Sequence, residues 1–230
     1  MKFEKIHNKG QARLFKNKYL EFFTKTHPLV IWGMYLPLII FLLYYSNAVK
    51  SLGMLSVFLS FFAGILFWTF FEYIMHRFVF HLIAESERLQ KVVYVMHGNH
   101  HEYPRDKERL FMPPLPSLIL ASVIFGTMFL MATLIGVTVF VFSFFAGFML
   151  GYLMYGTMHY AIHAWNPPFK WMKPLWRNHH LHHYKQQERG FGVSSTLWDR
   201  VFGTMFDLKT EKEDKEKVKE LMFDGEKVAH

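Results

Sequence analysis

Between Leu110 and Phe169 the chain reads LFMPPLPSLILASVIFGTMFLMATLIGVTVFVFSFFAGFMLGYLMYGTMHYAIHAWNPPF, 60 residues without one Asp, Glu, Lys or Arg. A helix crosses the hydrocarbon core of a bilayer in about 20 apolar residues, so this run holds two crossings joined by a tight turn near Gly136. Two shorter runs lacking the same four residues precede it, Thr26–Val49 with 24 residues and Ser51–Phe71 with 21, and each is long enough for one crossing. Soluble helices keep a charged face toward water, and these runs have none. The expected fold is all-α, an integral membrane protein with four transmembrane helices at about 28–46, 52–76, 116–135 and 137–163. A cytosolic N-terminal segment over 1–27 leads into a membrane domain over 28–206, and a charged C-terminal tail over 207–230 follows.

Composition supports this division. Of 230 residues 52% are hydrophobic and 26 are Phe, too apolar for a disordered chain. Zero Cys excludes a disulfide scaffold and any thiolate metal site. The net charge of +8 raises the question of nucleic acid or a membrane surface, and the position of the charges answers it. Lys and Arg number seven before the first helix, one in the Asn47–Gly53 hairpin, six after the second helix and twelve after the fourth. Four crossings put 25 of these 26 residues on one face, which the positive-inside rule makes cytoplasmic. The basic balance is topological, and no nucleic-acid motif or partner accompanies it. The first 25 residues are Lys-rich without an apolar core, unlike a cleavable signal peptide.

The chemistry lies in histidine. Eleven of the 14 histidines fall within His76–His101 and His159–His183, where uniform scattering would place about three. Each window has one layout: a helix end with two His (His76 and His81; His159 and His163), then a His-x-x-His-His (His97, His100, His101; His179, His182, His183). The second groups begin 21 and 20 residues after the first, which reads as an internal pseudo-repeat at one membrane face. At ~100° per residue, His159 and His163 share a helix face. The His-x-x-His spacing is expected to bring His97 to His100 and His179 to His182. Adjacent His100 and His101 diverge and can feed different ions, and His76 and His81 are splayed by ~140° unless the helix ends between them. Zinc takes about four ligands and octahedral iron six, so ten imidazoles suit two metals with around five each. His7, His27 and His230 stand outside the pattern, and His180 reads as a bystander. Imidazole alone does not choose among Zn, Cu, Fe and Ni. An acyl C–H bond at the membrane interface calls for activated oxygen, within reach of iron and not of redox-inert zinc.

In this order the four groups resemble those of the fatty acid hydroxylase and sterol desaturase superfamily of membrane di-iron oxygenases. The strings WTFFEYIMHRFVFH, HGNHHEYPRDKERLFMPP and HHYKQQERGFGVSSTLWDRVFGT are similar to the fatty acid 2-hydroxylase (sphingolipid alpha-hydroxylase) branch, over roughly Phe67–Thr204. The resemblance implies four transmembrane helices under a cytosolic helical cap, a histidine-bound di-metal site, and O2-dependent hydroxylation at carbon 2 of a long fatty acid or ceramide acyl chain. It implies the ligands His76, His81, His97, His100, His101, His159, His163, His179, His182 and His183, holding two Fe ions, with Zn able to take their place in a purified sample. Two positions depart from the family. Gly156 stands where members commonly have Asp, and Ala164 where a further His often follows, which would loosen the hydrogen bonds that orient ligating imidazoles. The 27 residues before the first helix are too few for the family's fused haem domain, so electrons are expected from a separate cytochrome b-type or ferredoxin/reductase donor. The expected location is a bacterial inner membrane or endoplasmic reticulum, with the site on the cytoplasmic face.

Other residues admit two readings. Glu72, one turn before His76, is an acceptor for a ligating imidazole or a charge among lipid headgroups. Arg105, Asp106 and Arg109 contact a headgroup or redox partner, or form salt bridges within their loop. Trp32, Trp171, Trp176 and Trp198 read as interfacial anchors, and Lys209–Lys219 as a solvated helix. The rival functions are sterol or carotenoid hydroxylation or desaturation and, from another class, metal transport. Transporters place their ligands near the midplane, often with acids, and no acid lies there.

Overall fold

The computed structural model describes residues 6–207 and residue 216. His230 and, Glu216 apart, the charged stretch from Lys209 to Lys219 lie outside the described residues. Helices are the only regular elements among the described residues: α1 (Lys18–Phe22), α2 (Pro28–Tyr44), α3 (Met54–Ile74), α4 (Glu87–Val93), α5 (Asn99–Glu102), α6 (Pro114–Leu134), α7 (Thr138–Ala164), α8 (Lys173–Tyr184) and α9 (Leu197–Val201). Single π-helical turns extend three of them: Tyr45–Val49 after α2, Met75–Phe80 after α3 and Tyr94–Gly98 after α4. Four helical stretches are long and apolar enough to cross a membrane, Pro28–Val49, Met54–Phe80, Lys107–Leu134 and Thr138–Ala164. This is a multi-pass membrane protein.

The chain divides into two compact units, and α3 and α7 contribute residues to both. One unit comprises Phe15–Thr69 and Glu108–Thr157. Its outward side chains are apolar, among them Leu55, Phe58, Leu59, Phe62 and Leu66, the surface a lipid solvent calls for. Where α3 meets α7 the backbones nearly touch. A Cβ at Gly64 would lie 1.9 Å from the Phe144 carbonyl oxygen, and one at Gly147 1.8 Å from that of Phe61. Ser60 and Ser143 hydrogen-bond across the same seam. Apolar helices gain nothing by leaving lipid for each other, so small residues that permit close approach decide their crossing. In this unit Tyr35 and Tyr152 flank Ser117, with hydroxyl distances of 2.7 and 3.4 Å. Between α6 and α7 the chain closes with Gly136 at φ +76°, its N–H donating to Thr133 and that of Val137 to Ala132. That pair of bonds terminates a helix at a left-handed glycine.

Arg109 has a partner outside its own loop. It pairs with Glu21, and Lys25 pairs with Glu108 at 2.6 Å, so two ion pairs fasten residues 108 and 109 to the segment preceding α2. The first helical position of α2 is Pro28, and His27 caps it by accepting from the Leu29 N–H. Gly156 has no space for the aspartate of the family pattern. Its Cβ would fall 2.2 Å from the Phe111 ring, whose side chain occupies that volume.

The other unit takes the chain up to Leu14, Phe70–Lys107 and the residues from Met158 onward. It contains α4, α5, α8, α9 and the histidine-bearing ends of α3 and α7. Trp176 is not an interfacial anchor: it is buried, and its indole N–H donates to the Trp165 carbonyl at 2.7 Å. A large ring with one donor is stable in a core once that donor is satisfied. Trp171, by contrast, is exposed.

Candidate metal centre

Two clusters of five imidazoles form, each with one ring nitrogen per residue lying within 4.8 Å of all the others: His76, His81, His97, His101 and His182 in the first, His100, His159, His163, His179 and His183 in the second. Eight of the ten are buried, and His81 and His163 are partly so. All ten belong to the same compact unit. The rings of His101 and His183, one from each cluster, stack with centroids 4.2 Å apart.

The backbone explains the placement. His159 and His163 sit four apart on α7, and a regular helix brings such residues to within ~40° of each other. His76 and His81 sit five apart, and the π turn Met75–Phe80 realigns them, because its hydrogen bonds run from i to i+5. The expected divergence at a helix end is thus absorbed by one wide turn. A second π turn delivers His97 at Tyr94–Gly98. Asn99 satisfies the carbonyls of that turn, its Nδ2 donating to Tyr94 at 2.9 Å and Val95 at 2.8 Å.

The His-x-x-His pairing expected from the sequence is corrected. His97 joins His101 and not His100, and His179 joins His183 and not His182. Residues four apart lie closer in angle than residues three apart, so the outer members of each triplet stay together. The middle members cross over: His100 completes the second cluster and His182 the first. The two windows therefore interlock by trading one histidine each. His180 belongs to neither cluster, being buried beside Ile162 and Arg105, with its pKa pushed down to about 4 by burial and then by that guanidinium. His7 stacks on Tyr103 at a centroid distance of 5.0 Å.

Inside the clusters Nε2 faces Nε2. That of His97 lies 3.1 Å from His76 and 2.9 Å from His101, that of His159 2.7 Å from His100, and that of His179 2.9 Å from His163. His182 donates from Nδ1 to the Arg189 carbonyl at 2.7 Å, and His76 from Nδ1 to that of Phe191 at 2.5 Å. A carbonyl only accepts, so both rings carry their proton on Nδ1 and turn an Nε2 lone pair inward. Burial, then the neighbouring imidazoles, holds His97, His100, His101, His179, His182 and His183 well below the ordinary histidine value, and His81 is pushed down to about 3. They stay neutral at pH 7. Converging neutral imidazoles, with no carboxylate or thiolate among them, are a donor set for borderline transition metals.

Glu72 is buried and is not a charge among lipid headgroups. Its Oε1 accepts from the N–H groups of Val193 and Ser194 at 2.8 and 2.9 Å, and the Ser194 hydroxyl donates to Oε2. Asp199, unremarked in the sequence, is fully buried and accepts from Phe191 N (3.0 Å), Gly192 N (2.8 Å), Asn178 Nδ2 (3.0 Å) and Thr204 Oγ1 (2.7 Å). The string RGFG was the available signal. Gly190 adopts φ +74°, and a Cβ on Gly192 would fall 2.1 Å from the Ser195 carbonyl and 2.8 Å from the Asp199 carboxylate. Two glycines this close in sequence mark backbone wrapped tightly around a buried group.

Comparison with known proteins agrees with the geometry. The fatty acid hydroxylase family model matches residues 61–204. The chain is 35% identical over 197 residues to dihydroceramide fatty acyl 2-hydroxylase FAH2 of Arabidopsis thaliana, covering 86% of this chain and 81% of the relative. It is 37% identical over 202 residues to the ceramide very long chain fatty acid hydroxylase SCS7 of Saccharomyces cerevisiae, covering 86% of this chain and 50% of the relative. To the fatty acid 2-hydroxylase of Mus musculus it is 34% identical, covering 84% and 56%. A solved structure, full-length Scs7p with only its hydroxylase domain visible, superposes with a TM-score of 0.78 at 35% identity, covering 86% of this chain and 74% of that one. These names speak for acyl hydroxylation and against the sterol, carotenoid and transport readings.

Proposed function

This chain belongs to the fatty acid hydroxylase family, and we propose from that premise that it inserts one oxygen atom from O2 at carbon 2 of a long-chain fatty acid or ceramide acyl group. The observation that carries the reading is the pair of interlocked five-imidazole clusters, in a chain whose relatives bear that activity in their names.

His76, His81, His97, His101 and His182 hold one iron ion, and His100, His159, His163, His179 and His183 hold the other. Iron, when bound, would supply the redox chemistry that oxygen insertion into an acyl C–H bond requires, which zinc in the same ligands lacks. The protein's own share is to keep ten imidazoles neutral, dry and aimed, and to hold the substrate still. Holding carbon 2 rather than a methylene farther down the chain against the site selects the carbon. Two electrons per turnover come from an external donor of the cytochrome b or ferredoxin/reductase class. The basic face is cytoplasmic, in a bacterial inner membrane or endoplasmic reticulum, and the metals lie near headgroup level there. An acyl chain entering from the bilayer meets them with its carboxyl end. Its tail gains none of the ~0.8 kcal/mol per CH2 available on leaving water, because it never was in water. Chain length is therefore selected weakly while the oxidised carbon stays fixed.

The test is lipid mass spectrometry of cells with and without the gene, fed saturated chains of several lengths. A hydroxyl at carbon 2 whatever the length is the expected result. Oxidation at a constant distance from the methyl end would overturn it.

A further inference from the structure

The two clusters differ in what stands behind them. In the first, His76 and His182 are anchored through Nδ1 on the carbonyls of Phe191 and Arg189, both in one short segment. That segment is itself held by buried carboxylates: Asp199 receives the N–H groups of Phe191 and Gly192, and Glu72 those of Val193 and Ser194. Glu72 lies on α3 one turn before His76, so the helix is tied to the loop next to that imidazole. In the second cluster, His179 and His183 have Nδ1 atoms that are buried without a hydrogen-bond partner among the described residues.

We propose that Glu72 and Asp199 are positioning residues for one metal of the pair, fixing segment 189–194 so that its carbonyls orient His182 and His76, and that the first cluster's ion depends on them while the second cluster's does not. The inference rests on the two-metal reading above. A ligating imidazole whose other nitrogen is anchored keeps its tautomer and its aim, and losing such an anchor typically weakens metal binding 10–100-fold. Here the carboxylates act at one remove, through the peptide groups they hold.

Asp199 also receives the Asn178 side chain at 3.0 Å, next to His179 of the second cluster. Glu72→Gln is therefore the cleaner variant and Asp199→Asn the broader one. The experiment uses the full chain in detergent, loaded with iron or with cobalt, and counts metal by mass spectrometry during dialysis against a chelator, with the cobalt visible spectrum followed in parallel. The wild type should hold two equivalents. Glu72→Gln should release one of them about 10–100-fold faster than the wild type, keep the second at the wild-type rate, and lose half of the cobalt spectrum in the fast phase. Asp199→Asn should show the same order. If Asp199→Asn does not fold, Thr204→Val removes a single donor to Asp199 and should give a smaller version of the effect. Tyr35→Phe, a buried hydroxyl deletion in the other unit, should release metal as the wild type does. Simultaneous loss of both equivalents in Glu72→Gln, or release at the wild-type rate in both Glu72→Gln and Thr204→Val, overturns the assignment while leaving the two-metal reading intact. A wild-type chain that binds no more than one ion sinks that reading itself, and this inference with it.

Discussion

His76 and His81 stand five residues apart on a π turn, whereas His159 and His163 stand four apart on uninterrupted α-helix, and yet within each pair the two rings converge on one cluster. The downstream triplets repeat the contrast, His97 arriving at the end of a second π turn and His179 within the regular helix α8. One extra residue in a helix end would swing a side chain about 100° off its face. A single i+5 turn takes up that residue, and such turns cluster where function has fixed a side chain's direction. The lesson is that imidazole directions are kept while backbone geometry varies. The exchange of His100 for His182 shows it again, since each cluster keeps five rings only by borrowing one from the other window.

The largest expected effect tests that exchange. His100→Ala, His182→Ala or His163→Ala alone should lower hydroxylation more than ~100-fold, beyond what loss of a supporting hydrogen bond costs, and His7→Ala should not. Pairs discriminate the clusters. Combining His100→Ala with His159→Ala, both in the second cluster, should leave about one metal equivalent, because each removes the same site and the effects do not add. Combining His100→Ala with His97→Ala, neighbours in sequence but in different clusters, should leave almost none. Equal metal contents for the two double variants, measured by mass spectrometry, would break the interlock.

A smaller effect tests the π turn. Deleting Val79 leaves His76 and His81 four apart, the spacing α7 already uses, and the non-helical residues 82–86 can take up the slip. We expect both metals to be retained and activity to fall roughly tenfold, as for a modest loss of ligand support. Inserting Ala after Tyr160 imposes the five-residue spacing on α7 and should empty the second cluster. Identical losses from the two changes, in metal content and turnover, would show that the π turn is not what reconciles the spacings.

These contrasts mark what could be read in advance. The four apolar stretches were legible because a bilayer demands some twenty uncharged residues in a row, a local property. The ten histidines were legible for their density and their doubled layout. Their partition was not: whether a triplet's middle member faces its own helix or the neighbouring window depends on how segments as far apart as His81 and His182 pack. Glu72 was visible as a charge near His76, but its partners lie 121 and 122 residues away. Asp199 stands buried in a polar-looking string, and burial is not written in the residue type. Trp176 departs from its expected interfacial place for the same reason.

Acidification should act on both halves alike, in contrast to the loop variants. In the metal-free protein, histidines held well below 6.5 remain neutral when folded, while the unfolded chain takes up protons as pH falls through 6.5. Stability is therefore present above that value and lost as pH falls below it, by at most ~1.4 kcal/mol per pH unit for each such residue. For His81 the loss continues down to about 3. Melting of the apo protein in detergent should move to lower temperature between pH 7 and 5, and the loaded protein should shed both ions together over that range. Release of one ion well before the other on acidification, with no substitution made, would show that protonation too separates the clusters.

The smallest effect concerns the helices that carry the two dissimilar histidine pairs. If directions are conserved and backbone geometry is adjustable, that freedom should belong to the ends of α3 and α7 and not to their seam. At Gly147 a Cβ would stand 1.8 Å from the Phe61 carbonyl oxygen, a backbone atom that moves only with its helix. At Gly126 on α6 nothing lies within 4 Å. Gly147→Ala should destabilise by about 1–3 kcal/mol, the usual cost of overpacking a close contact. Gly126→Ala should be neutral or stabilising by up to ~1 kcal/mol, since it relieves the entropy cost of glycine in a helix. Unfolding in detergent, by heat or denaturant, separates the two. Were Gly147→Ala as benign as Gly126→Ala, the seam would be as adjustable as the π-turned end of α3, and the difference between fixed crossing and variable terminus would disappear.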